Sequence, residues 1–547
     1  MQVAKFVDII SNSIRDNWEL NALSNYKDNT LTFGQTGQEV LRFHALFRRL
    51  NVQRGEKIAV IGKNNVNWAI TYLATTSYGA VIVPLLQEFH INDITYIIGH
   101  SETTVLFASE SIFEKLPKES IAHLKAVYSL ETLELLYSTN GNDVNFPDKS
   151  DVDLVSKDNF QLPGIDNDAL AGILYTSGTS GFSKGVMLPH RSLAANVQFG
   201  IDHIQLKPTE QIVSFLPLAH AYGCAFEFLS PFAMGCNIHF LGKVPSPQII
   251  LKAFADIRPH LIFAVPLIIE KIYKKRIKPA ISKPLPKLLL HIPFLNKLVY
   301  KKIYNQLTES FGGRFKEVII GGASLNGEVE KLLKKAKFRY TIGYGMTECG
   351  PLISYASHIN TQLYACGKVI PYLDVRIDSP NSHKTPGEIM VKGSNVMTGY
   401  YKNEEATSNA FDREGWLHTG DLGIIDKNGF IFIKGRSKNM ILGASGQNIY
   451  PEEIEAKLNN LPYVQESIVV EQQGKLHALI VPDQEAVETH DISHETLQHE
   501  MQINQKSINH QLPSYMAISK IILYDQEFEK TPKKSIKRYL YIGVVQK

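Results

Sequence analysis

The chain contains little cysteine for its length, and this scarcity excludes several protein classes. Its 547 residues include only four cysteines, namely Cys224, Cys236, Cys349 and Cys366. None of them forms a CxxC pair or a zinc-like Cys/His spacing, so neither a disulfide framework nor a zinc centre is expected. Thiols this sparse are typical of a reducing compartment. The sequence therefore predicts a cytoplasmic protein whose cysteines are small, buried side chains.

Charge of one sign and long apolar runs are lacking too. The 57 basic residues are nearly balanced by 54 acidic ones, an excess too small for a dedicated nucleic-acid binder. No stretch approaches the roughly 18 uncharged apolar residues of a membrane span. The first twenty residues mix charges into apolar positions, which predicts an amphipathic helix and not a signal peptide. The chain should fold into several domains, because it is too long for a single hydrophobic core.

Short apolar runs that alternate with helical patterns indicate the fold class. KIAVIG (57–62) is typical of a buried strand, and a helical segment and a second strand, AVIVPL (80–85), follow it. Such unbroken Val- and Ile-rich strands are typical of parallel sheets covered on both faces. The prediction is an α/β protein with a large, multi-layer N-terminal domain of mostly parallel sheets (residues 1–434). A small, mobile α+β C-terminal domain (residues 435–547) should follow it.

Residues 274–305 form a basic segment that prolines interrupt and in which apolar residues stand between the lysines. One interpretation is a helical hairpin insertion with solvated lysines. The other is a peripheral membrane contact, because lysines that flank Leu, Ile and Phe suit an interfacial helix. The sequence leaves both open.

The most informative stretch is LYTSGTSGFSKGVML (174–188). A strand ends in a loop of Thr, Ser and Gly with one lysine, and a second strand follows. Glycines allow successive backbone N–H groups to point into one concavity, hydroxyls add donors, and Lys184 supplies a point charge. The pattern predicts a phosphate-binding loop. It is not the P-loop of GxxxxGK[ST] proteins, because Gly185 follows Lys184.

The string YTSGTSGFSKGV resembles the phosphate-loop signature of the adenylate-forming (AMP-binding) enzymes. That superfamily includes acyl-CoA synthetases, firefly luciferase and peptide-synthetase adenylation domains. Its other signatures follow in order as GYGMTECGP (343–351), GWLHTGDLG (415–423), KGRSKNMILGASGQNIYPEEIE (434–455) and EKTPKKSIKR (529–538). The resemblance runs through nearly the whole chain. LPLAHAYG (216–223) and the ending TPKKSIKRYLY most resemble the long-chain fatty acyl-CoA synthetases.

The resemblance implies a reaction in two steps. A long-chain fatty acid would attack the α-phosphate of ATP to give acyl-AMP and pyrophosphate, and coenzyme A would then take the acyl group. ATP, Mg²⁺ and coenzyme A are the implied cofactors and co-substrates. An acyl-acyl carrier protein synthetase shares every signature and differs in the thiol that it accepts. A non-catalytic homologue that binds acyl groups or AMP is an alternative of another class.

The site residues implied by the resemblance divide by role. Lys184 and Thr347 should neutralise the phosphates, and Glu348 should hold Mg²⁺ through a hard carboxylate oxygen. His220 is expected where the acyl pocket meets the pantetheine tunnel, with Gly321 in the pocket wall. Asp421 should accept both ribose hydroxyls, Arg436 should contact the ribose or a phosphate, and Tyr344 should stack on adenine. The remaining nucleotide contacts are Thr176, Ser177, Gly178, Thr179, Gly181, Gly322, Ala323, Gly345 and Met346.

Further implied roles belong to the C-terminal domain. Lys438 occupies the position of the hinge about which that domain rotates between the half-reactions, and Gly446 is expected to approach pantetheine. Relatives carry a catalytic lysine immediately before an isoleucine in the last signature, where this chain has Ser535. Lys534 is the preferred replacement, with a one-residue shift of the loop. Lys537 is the second candidate, and weak adenylation is the third interpretation.

Overall fold

Large, mostly parallel sheets form the centre of the N-terminal part of the chain. The computed structural model describes residues 3–139, 144–151, 155–176, 184–243, 246–442, 447–531 and 536–543. In this described part, one sheet contains, in spatial order, Gly399–Tyr400, Lys184–Pro189, Leu170–Thr176, Val81–Leu85, Lys57–Ile61, Thr103–Ala108, Ala126–Ser129 and Leu135–Ser138. A second contains Tyr340–Ile342, Glu317–Ile320, Leu261–Ala264, Gln211–Ser214, Asn237–Phe240, Asn21–Asn25 and Thr30–Thr32. Inner strands pair in parallel, and antiparallel pairs occur towards the edges.

Helices connect these strands. The helix Val66–Tyr78 shows why the sequence folds this way: the Asn65 side chain caps its first turn by accepting from the Trp68 amide, and Gly79 ends it with a φ of +88°. Nearly all of its residues are buried, as its apolar composition requires. The other α-helices of the N-terminal part are Phe6–Asp16, Phe33–Arg49, Ile91–His100, Glu110–Phe113, Lys118–Ile121, His190–His203, Ala221–Gly223, Ser230–Ala233, Pro247–Ile257, Pro266–Ile272, Lys278–Ile281, Pro284–His291, Asn296–Ser310, Gly327–Lys335 and Glu404–Ala410. Cys224–Leu229 and Tyr273–Ile277 are π-helical, and Lys149–Asp151 and Thr347–Cys349 are 3₁₀ turns.

Smaller sheets follow the second large sheet along the chain. Tyr344–Gly345, Leu352–Tyr355 and Lys368–Val369 form an antiparallel group. Leu373–Asp378, Gly387–Gly393, Leu417–Ile425 and Ile431–Arg436 form another. The second of these sheets leads directly into the C-terminal part of the chain.

The C-terminal part has a separate hydrophobic core, built around Ile454, Leu458, Ile480 and Ile508. Its strands are Ile441–Leu442, Asn448–Ile449, Val464–Gln472, Lys475–Pro482 and Ile518–Leu523, and its α-helices are Pro451–Leu458, Gln484–Thr489 and His494–Gln511. Ser437–Asn439, Ser514–Met516 and Arg538–Leu540 are 3₁₀ turns. The predicted fold class, a large α/β domain followed by a small C-terminal domain, is confirmed.

Individual predictions can be compared with these bounds. KIAVIG, its helix and AVIVPL correspond to Lys57–Ile61, Val66–Tyr78 and Val81–Leu85. The predicted domain boundary, between residues 434 and 435, falls within the strand Ile431–Arg436. That boundary stays a prediction. Residues 274–305 are largely helical. Among the described helices, none is long and apolar enough to cross a bilayer.

Candidate active site

A cavity of about 1930 Å³ lies between the large sheets and the C-terminal part of the chain. Every predicted site residue within the described ranges lines it, namely Thr176, Lys184, His220, Gly321, Gly322, Ala323, Tyr344, Gly345, Met346, Thr347, Glu348, Asp421, Arg436 and Lys438. Ser177, Gly178, Thr179, Gly181, Gly446 and Lys534 lie outside the described residues, as does Ser535. The fold thus brings together residues that are up to 262 positions apart in the sequence, from Thr176 to Lys438.

Antiparallel pairing fixes the two ends of the predicted phosphate loop. The strands Leu170–Thr176 and Lys184–Pro189 pair so that Thr176 lies directly opposite Lys184. Thr176 and Lys184 are therefore neighbours across the strand pair, and both line the cavity. A donor and a cation at this spacing suit an anionic ligand.

The segment Gly343–Pro351 turns sharply at the cavity wall. Tyr344–Gly345 pairs with Leu352–Tyr355, and the Met346 amide donates to the Pro351 carbonyl at 2.9 Å. A Cβ at residue 345 would lie 2.2 Å from that carbonyl oxygen, so only glycine fits. The tight turn presents Thr347 and Glu348 to the cavity.

Tyr400 links the two chemically important groups of this wall. Its hydroxyl donates to Glu348 Oε1 at 2.9 Å, and the Lys184 ammonium lies 4.9 Å from the centroid of its ring, within the range of a cation–π contact. Tyr400 also lines the cavity. Sequence analysis missed this residue, and a single sequence offers no signal for it, because its position depends on the pairing of Gly399–Tyr400 with Val186 and Met187.

Asp421 is a buried acid at the cavity wall. Strand pairing places it directly opposite Arg436, whose Nε lies 2.8 Å from Oδ1, and the Tyr344 hydroxyl donates to Oδ2 at 2.7 Å. Burial raises the pKa of Asp421 above its ordinary value, and Arg436 and Tyr344 oppose that rise. The carboxylate is thus held in one orientation at the cavity wall.

Apolar side chains line the part of the cavity next to Gly321. The Tyr222 hydroxyl donates to the Ile319 carbonyl at 3.0 Å, and a Cβ at residue 321 would lie 3.1 Å from the Tyr222 ring. Phe226 and Phe263 stack with ring centroids 5.9 Å apart, and both line the cavity. Glycine therefore leaves room for the tyrosine ring in a wall that suits an apolar ligand.

A buried glutamate holds the loop that carries His220. Glu227 Oε2 accepts from the backbone amides of Phe215 and Leu216 at 3.0 and 2.9 Å. Burial raises the pKa of Glu227 well above its ordinary value. The sequence carried a signal for this residue, because a glutamate stands alone in the apolar run CAFEFL and buried acids need partners.

Family models identify the architecture. The model described as AMP-binding enzyme matches residues 13–401, and that described as AMP-binding enzyme C-terminal domain matches residues 438–543. The chain belongs to the AMP-binding enzyme family.

Curated relatives of this AMP-binding enzyme are moderately similar. The chain is 28% identical over 471 residues to the long-chain-fatty-acid–CoA ligase FadD15 of Mycobacterium tuberculosis. This alignment covers 80% of the chain and 75% of the relative. The chain is 27% identical over 554 residues to the long-chain-fatty-acid–[acyl-carrier-protein] ligase AEE15 of Arabidopsis thaliana, in an alignment that covers 85% of the chain and 74% of the relative.

Solved structures share the fold along nearly the whole chain. The ATP-bound MatB of Rhodopseudomonas palustris superimposes with a TM-score of 0.76 at 23% identity, covering 100% of this chain and 99% of that one. The anthranilate CoA ligase AuaEII, in complex with anthranoyl-AMP, gives a TM-score of 0.79 at 17% identity, covering 98% and 96% of the two chains. The chain thus shares the fold of these two structures.

The C-terminal part of the AMP-binding enzyme contributes cations to the same cavity. Lys537 and Arg538 line it, and the Lys537 ammonium lies 3.3 Å from the Glu529 carboxylate. The Arg538 guanidinium pairs with Glu455. Burial raises the pKa of the Glu455 carboxyl above its ordinary value, and Arg538 opposes that rise.

Glu348 offers a magnesium ion a carboxylate at the cavity wall. In the described part of the AMP-binding enzyme, no group of three or more His, Cys, Asp or Glu side chains could enclose a metal ion. Mg²⁺, however, usually keeps several waters and binds one or two carboxylates together with substrate phosphates. Glu348, held by Tyr400, fits such a site.

Proposed function

We propose that this chain is a long-chain-fatty-acid–CoA ligase that forms AMP. The proposal is carried by the observation that one cavity has both a polar and an apolar wall. Thr176, Lys184 and Glu348 line the polar wall, and Phe226 and Phe263 line the apolar wall. The polar wall suits the phosphates of ATP, and the apolar wall suits a fatty acid. Membership of the AMP-binding enzyme family and the fatty-acid ligases among the relatives support the same conclusion.

In the first half-reaction, a carboxylate oxygen of the fatty acid attacks the α-phosphorus of ATP in line. A P–O bond to the acid forms, the bond to pyrophosphate breaks, and pyrophosphate leaves with the electron pair. Lys184 and Thr347 would stabilise the phosphate charge, and Glu348 would hold Mg²⁺, which supplies further charge neutralisation. Asp421 would orient the ribose, with Tyr344 against adenine and Arg436 fixing the Asp421 carboxylate.

The nucleotide would also contact the backbone and small residues of the cavity wall. We propose Thr176, Ser177, Gly178, Thr179 and Gly181 for the phosphates. Gly322, Ala323, Gly345 and Met346 would contact the adenine ring and its sugar. The first three are small and let a flat ligand come close to the backbone.

In the second half-reaction, the thiol of coenzyme A attacks the carbonyl carbon of acyl-AMP. A C–S bond forms, the bond to the phosphate oxygen breaks, AMP leaves and the thiol proton is released. We propose that the C-terminal domain (435–547) rotates about Lys438 between the steps. His220 and Gly321 would border the acyl group and Gly446 the pantetheine arm.

The decisive experiment measures the two half-reactions separately. Purified protein with ATP, Mg²⁺ and palmitate should catalyse ATP–pyrophosphate exchange without any thiol, and palmitoyl-CoA should form once coenzyme A is added. Thioester formation only with holo-acyl carrier protein would favour the carrier-protein ligase, as one relative is named. Absence of exchange with acids of several chain lengths would favour a non-catalytic homologue that binds acyl groups or AMP.

The catalytic lysine requires its own variants. We propose Lys534, one residue before Ser535, and expect Lys534→Ala to slow exchange about 100-fold, as removal of a positioned charge does in other enzymes. Lys520→Ala, on an exposed strand position, is the matched control. If Lys537→Ala slows exchange strongly and Lys534→Ala does not, Lys537, which lines the cavity, is the catalytic lysine instead.

The proposed location is the cytoplasm, with peripheral membrane contact through residues 274–305.

A further inference from the structure

Apolar side chains are exposed on a helical pair that does not line the candidate active site. The helices Pro284–His291 and Asn296–Ser310 pack against each other. They and the loop between them expose a set of large apolar side chains, Leu285, Leu288, Ile292, Phe294, Leu295 and Leu298. Phe294 is 78% exposed and Leu285 66%. None of these side chains lines the cavity described above, so an enzyme's substrate pocket does not account for them.

Phe294 is the most exposed of these side chains. It lies in the loop between the helices with a φ of +69°, a backbone region that bulky residues rarely adopt. The Lys297 ammonium lies 5.2 Å from the centroid of its ring. A phenylalanine in a strained conformation, facing solvent beside a lysine, gains no burial from the fold itself.

The charge around these side chains has one sign. Residues 274–305 include nine of the chain's 57 basic residues and none of its 54 acidic ones. The rest of the chain has 48 basic residues against 54 acidic ones and is therefore net acidic. The exposed lysines of the segment include Lys283, Lys287 and Lys297. Cations are thus concentrated where the apolar side chains protrude.

Charge decides between the possible occupants of this surface. A second copy of the chain, related by a two-fold axis, would bring the same cations face to face, which is unfavourable. A bilayer with anionic headgroups provides both an apolar phase for the Leu and Phe side chains and negative charge for the lysines. The helices are too short and too polar to cross it, so the contact would be interfacial.

We propose that residues 283–302, the basic apolar surface, dock on the anionic face of a lipid bilayer. The apolar side chains enter the boundary between headgroups and acyl chains, and the lysines lie among the phosphates. This docking gives residues and a lipid class to the peripheral contact proposed above. The docking proposal is independent of the proposed ligase reaction, because the flotation test below contains no substrate of that reaction.

The first test uses vesicle flotation with the full-length protein. Vesicles of phosphatidylcholine with about a third phosphatidylglycerol should bind the protein, vesicles of pure phosphatidylcholine should bind it weakly, and salt near 0.5 M should weaken the binding. Phe294→Ser combined with Leu298→Ser should abolish flotation. Ile359→Ser is the matched control, because Ile359 is 79% exposed elsewhere on the molecule.

A charge variant keeps the proposal testable if the apolar variant misfolds. Lys283→Gln combined with Lys287→Gln should weaken partition into anionic vesicles about 30-fold, whereas Lys115→Gln combined with Lys118→Gln, at exposed positions elsewhere, should not. Absence of binding to anionic vesicles, or binding that neither variant weakens, overturns the proposal. So does a dimer in solution that Phe294→Ser dissociates.

Discussion

Removal of one hydroxyl group from the cavity wall tests how the site is organised. Tyr400→Phe deletes the donor that contacts Glu348 Oε1 at 2.9 Å but keeps the aromatic face beneath the Lys184 ammonium. The substitution therefore separates the hydrogen bond to the acid from the cation–π contact to the lysine. We expect the Glu348 carboxylate to lose its fixed orientation, whereas Lys184 keeps its contact with the aromatic ring at position 400.

The magnitude follows from the kind of bond that is lost. A hydrogen bond to a charged group contributes about 1.5–3 kcal/mol, and Tyr400 is only half-buried, so the lower end applies. A loss of about 1.5 kcal/mol in the transition state slows the first half-reaction about tenfold. ATP–pyrophosphate exchange at varied MgATP concentrations measures this loss as kcat/KM.

The neighbouring tyrosine provides a matched control. The Tyr401 hydroxyl donates to Glu102 Oε2 at 2.7 Å, and Tyr401 does not line the cavity. Tyr401→Phe removes a bond of the same chemistry and should leave exchange within about twofold of the original rate. Equal losses in the two variants, or no loss in Tyr400→Phe, would refute the argument that Tyr400 orients Glu348.

Three further substitutions test the packing around the site and in the C-terminal part. Gly345→Ala would place its Cβ 2.2 Å from a backbone carbonyl oxygen and should lower the Tm by at least about 2 °C, whereas Gly343→Ala, with its nearest atom at 3.6 Å, should not. Burial raises the pKa of Glu317 from 4.5 to about 7, so the folded state holds this proton more tightly than the unfolded chain. The free energy of unfolding should then fall as pH rises between these values, and urea titrations of Glu317→Gln should lack that slope. Arg538→Met leaves the buried Glu455 without its counter-ion, and a drop of about 3 kcal/mol in unfolding free energy is expected; restoration by Glu455→Gln would support this cause, and unchanged urea unfolding would contradict it.

Elements with strong local patterns could be predicted from the sequence. The run KIAVIG is apolar at every position but one, and a run of this length fits a strand that is buried on both faces. The signatures predict Asp421 and Arg436 as site residues, both line the cavity, and their direct pairing follows from the register of two neighbouring strands. A short connection between those strands makes such a pair accessible to sequence reasoning.

Contacts between distant elements could not be predicted. Tyr400 is 52 residues from Glu348 and more than 200 from Lys184, and its place beside them depends on a two-residue strand at a sheet edge. Propensity carries little information over two residues. The position of Tyr222 could not be predicted either. Its ring fits against Gly321, which is distant in the sequence, because residue 321 has no side chain.

The position of the cations relative to the proposed hinge leads to a last prediction. Lys184 and Arg436 precede the proposed hinge at Lys438 and lie on paired strands, Lys184 opposite Thr176 and Arg436 opposite Asp421. Lys534 and Lys537 follow the proposed hinge at Lys438 and would move with the C-terminal domain. The first pair should therefore act in both half-reactions and the second mainly in the first.

Preformed palmitoyl-AMP isolates the second half-reaction. With it, Lys534→Ala and Lys537→Ala should form palmitoyl-CoA at close to the original rate, because the proposed rotation would carry both lysines away from the phosphate. Arg436→Gln should remain slow, since Asp421 loses its 2.8 Å contact in either arrangement. Equal impairment of both lysine variants in this assay would mean that their side chains stay in the cavity during thioester formation, and the proposed rotation about Lys438 would have to be abandoned.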